Sequence, residues 1–83
     1  MVPIDPETAS RRRAFGEAVR RFRLERNYSQ EEIAEIAGVD RKTVSRIENG
    51  HFSPSLDRVW AIADALDVEL HELFLPDAQR LRG

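Results

Sequence analysis

The chain has 83 residues, 41% of them hydrophobic and 34% charged, which suits one small domain with a compact core. It contains no cysteine, which excludes disulfide bonds and thiolate metal sites. The net charge of −2 is unevenly spread: residues 11–46 carry ten basic against six acidic residues, and residues 47–83 carry three against seven. A nucleic-acid partner needs only local positive potential, so the total does not exclude one, although ordinary helices with mixed charges give the same pattern.

The N-terminal part of the chain predicts a flexible arm followed by a helix. Residues 1–9 contain Pro3 and Pro6 and show no periodic pattern. A helix is predicted from Ala9 or Ser10 to Arg26, because apolar residues fall on one helical stripe there. That stripe consists of Ala14, Phe15, Ala18, Val19 and Phe22. Asn27 tolerates the left-handed conformation that commonly ends a helix.

Two short helices are predicted next. Ser29 begins a capping box with Glu32, so a second helix should run over 30–37 and end at Gly38. Asp40 is a suitable N-cap for a third helix, from Arg41 to residue 47 or 48, which runs into Asn49-Gly50.

The C-terminal half predicts two more helices. Ser55 should cap a fourth helix over 56–66, with Leu56, Val59, Ile62, Ala63 and Leu66 as its buried stripe. A short fifth helix should follow over 69–75, before a tail at 76–83. No segment alternates with period two, so the predicted fold is all-α, with five helices in one domain over 10–75.

The segment SQEEIAEIAGVDRKTVSRIENG predicts two helices that cross steeply over a three-residue turn. Ala34 is small where the second helix passes close, and Gly38 supplies the positive φ that a tight turn needs. The apolar residues between the helices are Ile33, Ala37, Val39, Val44 and Ile47.

This segment resembles the Cro/repressor-type helix-turn-helix family, also called the xenobiotic-response-element type. The resemblance extends upstream through FGEAVRRFRLERNYSQ and downstream through SPSLDRVWAIADALDVELHELF, about Phe15 to Phe74. Asn27 and Asp67 stand where the family most often has glycine. The resemblance implies a lambda-repressor-like fold, with the motif at 30–49 and its second helix, over 41–48, entering the major groove of DNA N-terminus first.

The implied DNA contacts follow from that docking. We expect Arg41, Lys42 and Arg46 to read bases, because long cationic side chains can bridge guanine O6 and N7. For Lys42 a phosphate contact is an equal alternative. Thr43 and Ser45 are secondary candidates for phosphates or a thymine methyl group.

Two further contacts are carried over from the family. Gln30 matches a residue that meets a phosphate at a helix N-terminus, although it could simply be a good first helical residue. Asn49 matches a position near the other flanking phosphate. The three arginines 11–13 could clamp the DNA backbone or could belong to a frayed helix start.

Two other sets of residues have structural roles. The family has an Arg–Glu pair at the positions of Arg23 and Glu48, so we expect a buried ion pair there. The two recognition helices of a homodimer would read a palindromic operator, and exposed apolar residues near the acidic C-terminus would form its interface. The candidates are Trp60, Leu70, Phe74 and Leu75; core packing is the alternative for Trp60, and Leu70 and Phe74 could be partly core.

The sequence therefore predicts a DNA-binding transcriptional regulator that acts as a homodimer on double-stranded DNA. An antitoxin or an adaptor that binds a protein with the same fold is the alternative. We expect no enzyme, because no nucleophile–base arrangement or phosphate-binding loop is present. His51 and His71 have no ligand-like neighbours, so no metal or cofactor is expected. No segment approaches the ~20 apolar residues of a membrane span, and we expect no signal peptide, because residues 1–10 have neither a basic start nor an apolar stretch. A cytoplasmic protein, associated with the nucleoid when bound to DNA, is expected.

Overall fold

The computed structural model describes residues 4–74, which form four α-helices, one 3₁₀ helix and no strand. The α-helices are α1 (Pro6–Glu25), α2 (Gln30–Ala37), α3 (Arg41–Glu48) and α4 (Leu56–Leu66). The all-helical prediction is confirmed, and α2, α3 and α4 have the predicted bounds. The predicted fifth helix is wrong in type: Leu70–Phe74 is a 3₁₀ helix, in which the Glu72 amide donates to the Glu69 carbonyl at 3.0 Å. Leu75 and the tail lie outside the described residues.

Helix α1 begins earlier than predicted. The Asp5 carboxylate caps it by accepting hydrogen bonds from the Thr8 amide at 2.9 Å and from the Thr8 hydroxyl at 3.0 Å. The amide of Thr8 also lowers the pKa of Asp5. Pro6 occupies the first turn, where a missing N–H group costs nothing. Residues 6–9 are thus helical, and the predicted arm over 1–9 is too long.

The caps of the short helices explain why their ends were predictable. Ser29 and Glu32 form the reciprocal capping box, with N···O distances of 3.0 and 2.8 Å. The Ser29 amide thereby lowers the pKa of the Glu32 carboxyl group. Gly38 ends α2 with a φ of 73°. Asp40 occupies the N-cap position of α3 as predicted, but its side chain makes no capping hydrogen bond.

The core lies where all the helices meet. Helix α1 packs against α3 and the 3₁₀ helix, and α2 packs against α3 and α4. The side chains that are almost fully enclosed are Val19, Ile33, Val44, Ile47, Ile62, Leu66 and Leu73. Two predicted core residues are exposed: Ala14, one residue off the centre of the α1 stripe, and Leu56, at the first turn of α4. Within residues 4–74, none of the helices combines the length and apolar character that a membrane crossing requires.

Candidate nucleic-acid interface

The turn between α2 and α3 fixes the angle between these two helices. Gly38 is left-handed, and the Val39 amide then donates to the Ala34 carbonyl at 2.9 Å, closing the end of α2. Ala34 is buried against α3, and Val39 is half-buried on the core. Helix α3 therefore has a defined position relative to α2.

Helix α1 and the end of α3 approach each other closely at two glycines, Gly16 in α1 and Gly50 after α3. A Cβ atom at Gly16 would overlap the Ile47 carbonyl oxygen and would lie 2.8 Å from the Glu48 carbonyl oxygen. A Cβ at Gly50 would lie 2.8 Å from Cγ of Arg13 and 3.1 Å from its Cα. The last turn of α3 is thus in direct backbone contact with α1, and Arg13 lies beside the end of α3. Since this part of α1 is a continuous helix, the alternative of a frayed basic start is wrong.

The ion pair between Arg23 and Glu48 joins the same two helices. The Arg23 Nε donates to Glu48 Oε2 at 2.7 Å and Nη2 donates to Oε1 at 3.0 Å, while Nη1 donates to the Tyr28 carbonyl at 2.8 Å. The side chains are only 10% and 3% exposed. The hydrogen bond with Glu48 raises the pKa of Arg23, against the opposing effect of burial. The structure thus contains the buried pair expected from the family.

Gln30 extends this polar network to the start of α3. Its Nε2 donates to Glu48 Oε1 at 3.0 Å, and its Oε1 accepts from Nη1 of Arg41 at 3.4 Å. Gln30 is half-buried, so it is more than a favourable first helical residue. A chain of polar contacts therefore runs from the core to the first residue of α3.

The outer face of α3 carries the predicted base readers. Val44, Ile47 and Glu48 are buried, whereas Arg41, Lys42 and Arg46 are exposed. Thr43 and Ser45 are half-buried at the sides of the same helix. The exposed part of α3 is therefore cationic, and its orientation is set by its buried residues.

Phe52 is a residue of this surface that the sequence analysis missed. The Arg46 Cζ atom lies 5.1 Å from the centre of the Phe52 ring, within the range of a cation–π contact. Asn49 is exposed, and its Nδ2 donates to the Ser45 carbonyl at 2.8 Å. The loop after α3 thus supports the guanidinium of Arg46, a contact that no sequence spacing indicates.

The described candidates for the dimer interface do not all line one pocket. Trp60 is 48% exposed, so the alternative that it packs in the core is wrong. Trp60 and the half-buried Leu70 line one shallow pocket, whereas Phe74 lies elsewhere and stacks on Phe15 with ring centres 5.3 Å apart. Leu75 lies outside the described residues. The described candidates therefore reduce to Trp60 and Leu70 on one surface.

The structure gives no indication of a metal centre. Within residues 4–74, no three side chains of His, Cys, Asp or Glu are placed to hold a metal ion. The surface of α3 and the ends of its neighbours are the candidate site, because Arg41, Lys42 and Arg46 are exposed there.

Comparisons with known proteins agree with this geometry. The family model described as Helix-turn-helix matches residues 19–73. The "Neisseria hypothetical transcription factor" of Neisseria meningitidis is 34% identical over 77 residues, covering 93% of this chain and 73% of the relative. The HTH-type transcriptional regulator SinR of Bacillus subtilis is 37% identical over 60 residues, covering 71% of this chain and 54% of the relative.

A solved structure also shares the fold over most of its length. The crystal structure of the restriction-modification controller protein C.AhdI from Aeromonas hydrophila superimposes with a TM-score of 0.77 at 37% identity. The match covers 78% of this chain and 98% of the controller. The chain therefore belongs to the Cro/repressor-type, or xenobiotic-response-element, helix-turn-helix family of transcriptional regulators.

Proposed function

We propose that this protein is a cytoplasmic, sequence-specific regulator that binds double-stranded DNA with α3 in the major groove. The observation that carries the proposal is the construction of α3. Its buried residues fix it against α1 and α2, and Arg41, Lys42 and Arg46 are left exposed. A helix that is fixed in position and carries exposed cationic side chains is what direct reading of base edges requires.

The residues divide into base readers and phosphate contacts. Arg41 and Arg46 read bases, and Lys42 reads a base or binds a phosphate. Gln30 stands at the N-terminus of α2, where helix amides and the helix dipole attract a phosphate. Asn49, at the C-terminal end of α3, contacts the other flanking phosphate.

Two residues on the sides of α3 and one arginine of α1 belong to the same proposed DNA-binding surface. Thr43 and Ser45 contact phosphates or a thymine methyl group from the sides of α3. Arg13 lies beside Gly50, close to the end of α3. Its position supports a backbone-clamp role for Arg13, whereas Arg11 and Arg12 line a different surface.

We further propose that two copies form a homodimer through the surface around Trp60 and Leu70. A single recognition helix reads few base pairs, whereas two helices about 34 Å apart read both halves of a palindrome. Asp64, Asp67 and Glu72 border the same pocket, so like charges oppose this contact. The dimer is accordingly weak, and DNA supplies part of its stability.

Fluorescence anisotropy with labelled duplexes from a selected random pool tests the DNA-binding role. Affinity should fall steeply as salt rises, because bound counterions are released. Arg41→Ala and Arg46→Ala should each cost ~1–3 kcal/mol and relax the preference at particular base pairs. Gln30→Ala should weaken binding to every duplex, because it removes a phosphate contact, and should relax the preference only at the base pair that Arg41 reads, because it also removes the contact with Arg41. Arg20→Ala, which changes an exposed arginine beside Leu24 on α1, should alter DNA affinity little.

Two outcomes contradict the proposal. Absence of binding at low salt would favour the antitoxin or adaptor alternative, in which the fold binds a protein. Uniform losses for both arginine variants would place their side chains on phosphates. Sedimentation tests the dimer: Trp60→Glu should dissociate it without unfolding, and a protein that stays monomeric on a palindromic duplex would exclude it.

A further inference from the structure

Three aromatic rings line an open groove between the first turns of α1 and the loop that precedes α4. We call it the aromatic groove; it has a volume of about 370 Å³. Its apolar walls include Phe15, Phe52, Leu56 and Phe74, and the arginines 11 and 12 also line it. Three of the four phenylalanines of the chain are therefore in this one place.

Part of the apolar wall of the aromatic groove is exposed, although Phe15 in the same wall is buried. Leu56 is 56% exposed and Phe74 is 60% exposed, while Phe74 stacks on Phe15 with a 23° angle between the rings. Apolar surface of this kind commonly marks a binding site. The volume falls within the range of about 300–1,000 Å³ that is usual for small-molecule pockets.

The positive charge of the groove favours an anionic ligand. Arg11 pairs with Glu7, whereas Arg12 has no carboxylate partner among residues 4–74. The guanidinium group favours a carboxylate, because it can bind one with two parallel hydrogen bonds. The apolar walls beside it favour a ligand whose remaining part is flat and apolar. The aromatic rings favour a ligand that stacks on them. From these features we infer that the aromatic groove binds an aromatic carboxylate of one or two rings.

A second copy of the chain is the competing occupant of the groove. A two-fold contact there would bring the same arginines of both copies near one another, whereas the small anion supplies the opposite charge. Sedimentation separates the two: a dimer that Phe74→Glu dissociates and Trp60→Glu leaves intact would overturn the ligand site.

Phe52 connects the groove to the DNA-binding surface. Its ring contacts Arg46 and also lines the groove. A ligand that stacks on Phe52 displaces the support of Arg46 and brings a negative charge close to the cationic surface. The ligand therefore acts as an effector that weakens DNA binding, a consequence that rests on the proposed function.

Ligand binding is tested without DNA by ¹H–¹⁵N NMR titration of the full chain with 1-naphthoate. The amide signals of Phe15, Phe52 and Phe74 should shift and saturate. Arg12→Gln should raise the Kd about tenfold, as expected for loss of a charged hydrogen bond. The matched variant Arg20→Gln should bind 1-naphthoate like the original protein. The neutral analogue 1-naphthalenemethanol should bind the original protein only as weakly as 1-naphthoate binds Arg12→Gln.

Several results would overturn the site: no shifts, shifts centred on Trp60, equal binding of the neutral alcohol, or equal losses for both arginine variants. The effector role is tested by anisotropy with and without saturating naphthoate, with acetate at equal ionic strength as control. DNA affinity should fall about two- to fivefold, the worth of an exposed cation–π contact. No change would overturn the effector role, whereas a protein that fails to bind DNA without ligand would overturn the proposed function and leave the NMR result intact.

Discussion

Removal of Arg23 should nearly unfold the domain. In Arg23→Ala the Glu48 carboxylate, 3% exposed in the folded chain, loses both guanidinium hydrogen bonds and keeps only the amide of Gln30. Breaking a buried pair by removing one partner costs about 3–5 kcal/mol, because the other charge is left without compensation. A chain of this size has a total stability of about 4–12 kcal/mol.

The loss is therefore a large share of the total free energy of unfolding. For a domain of this length, each kcal/mol lowers Tm by about 4–8 °C, so a decrease of about 12–40 °C is expected. Circular dichroism during thermal and urea unfolding measures it. DNA binding should disappear only where the fold is lost.

Two further variants distinguish the cost of leaving a buried charge without a partner from the cost of losing an ion pair as such. Arg11→Ala breaks the exposed pair with Glu7 and should hardly change Tm, since exposed pairs contribute about 0–1 kcal/mol. Replacing both members of the buried pair, as Arg23→Met with Glu48→Leu, should recover much of the loss, because no charge is left unpaired. An unchanged Tm in Arg23→Ala would refute the reasoning.

Three other predictions concern packing, pH and assembly. Gly16→Ala should destabilise the domain by about 1–3 kcal/mol, seen as a lower urea midpoint, because its methyl group meets the Ile47 carbonyl; an unchanged midpoint would contradict that contact. The pKa of Glu32 is lowered from 4.5, so its stabilising contact with Ser29 is complete above that pH and is lost as the pH falls through the folded value. Tm should therefore fall less on acidification in Glu32→Gln than in the original chain, and equal slopes would exclude this contribution. Dimerisation through the acidic surface at Trp60 should strengthen with salt while DNA binding weakens, and a dimer that salt dissociates would point to another interface.

The sequence predicted the elements whose ends are fixed by local chemistry. The bounds of α2 follow from the capping box at Ser29 and the left-handed Gly38, which are visible in single residues. The start of α1 differs from the prediction, because Pro3 and Pro6 without an apolar stripe are also typical of an irregular arm. Pro6 is in fact favoured in a first helical turn, and Asp5 completes that cap.

Contacts between distant segments were predictable only in part. The glycine inside α1 was a usable signal, because Gly16 costs helix stability of about 1 kcal/mol relative to alanine unless a close approach requires it. Exposure of Leu56 and the contact of Phe52 with Arg46 had no such signal. Both depend on how the loop after α3 and the 3₁₀ helix pack on α1, which periodicity within one helix does not determine.

The side chains that stabilise this fold are connected to those that we propose to read DNA. Glu48 accepts hydrogen bonds from both Arg23 and Gln30, and Gln30 in turn contacts Arg41 at the start of α3. A change that weakens this network without unfolding the domain should therefore first loosen Arg41, at the outer end of the chain of contacts. Arg46 is supported separately by Phe52, so its reading should persist under that change and respond instead to the aromatic groove. The Arg41 side chain is thus linked through Gln30 to the buried ion pair, whereas the Arg46 side chain contacts the loop that follows α3.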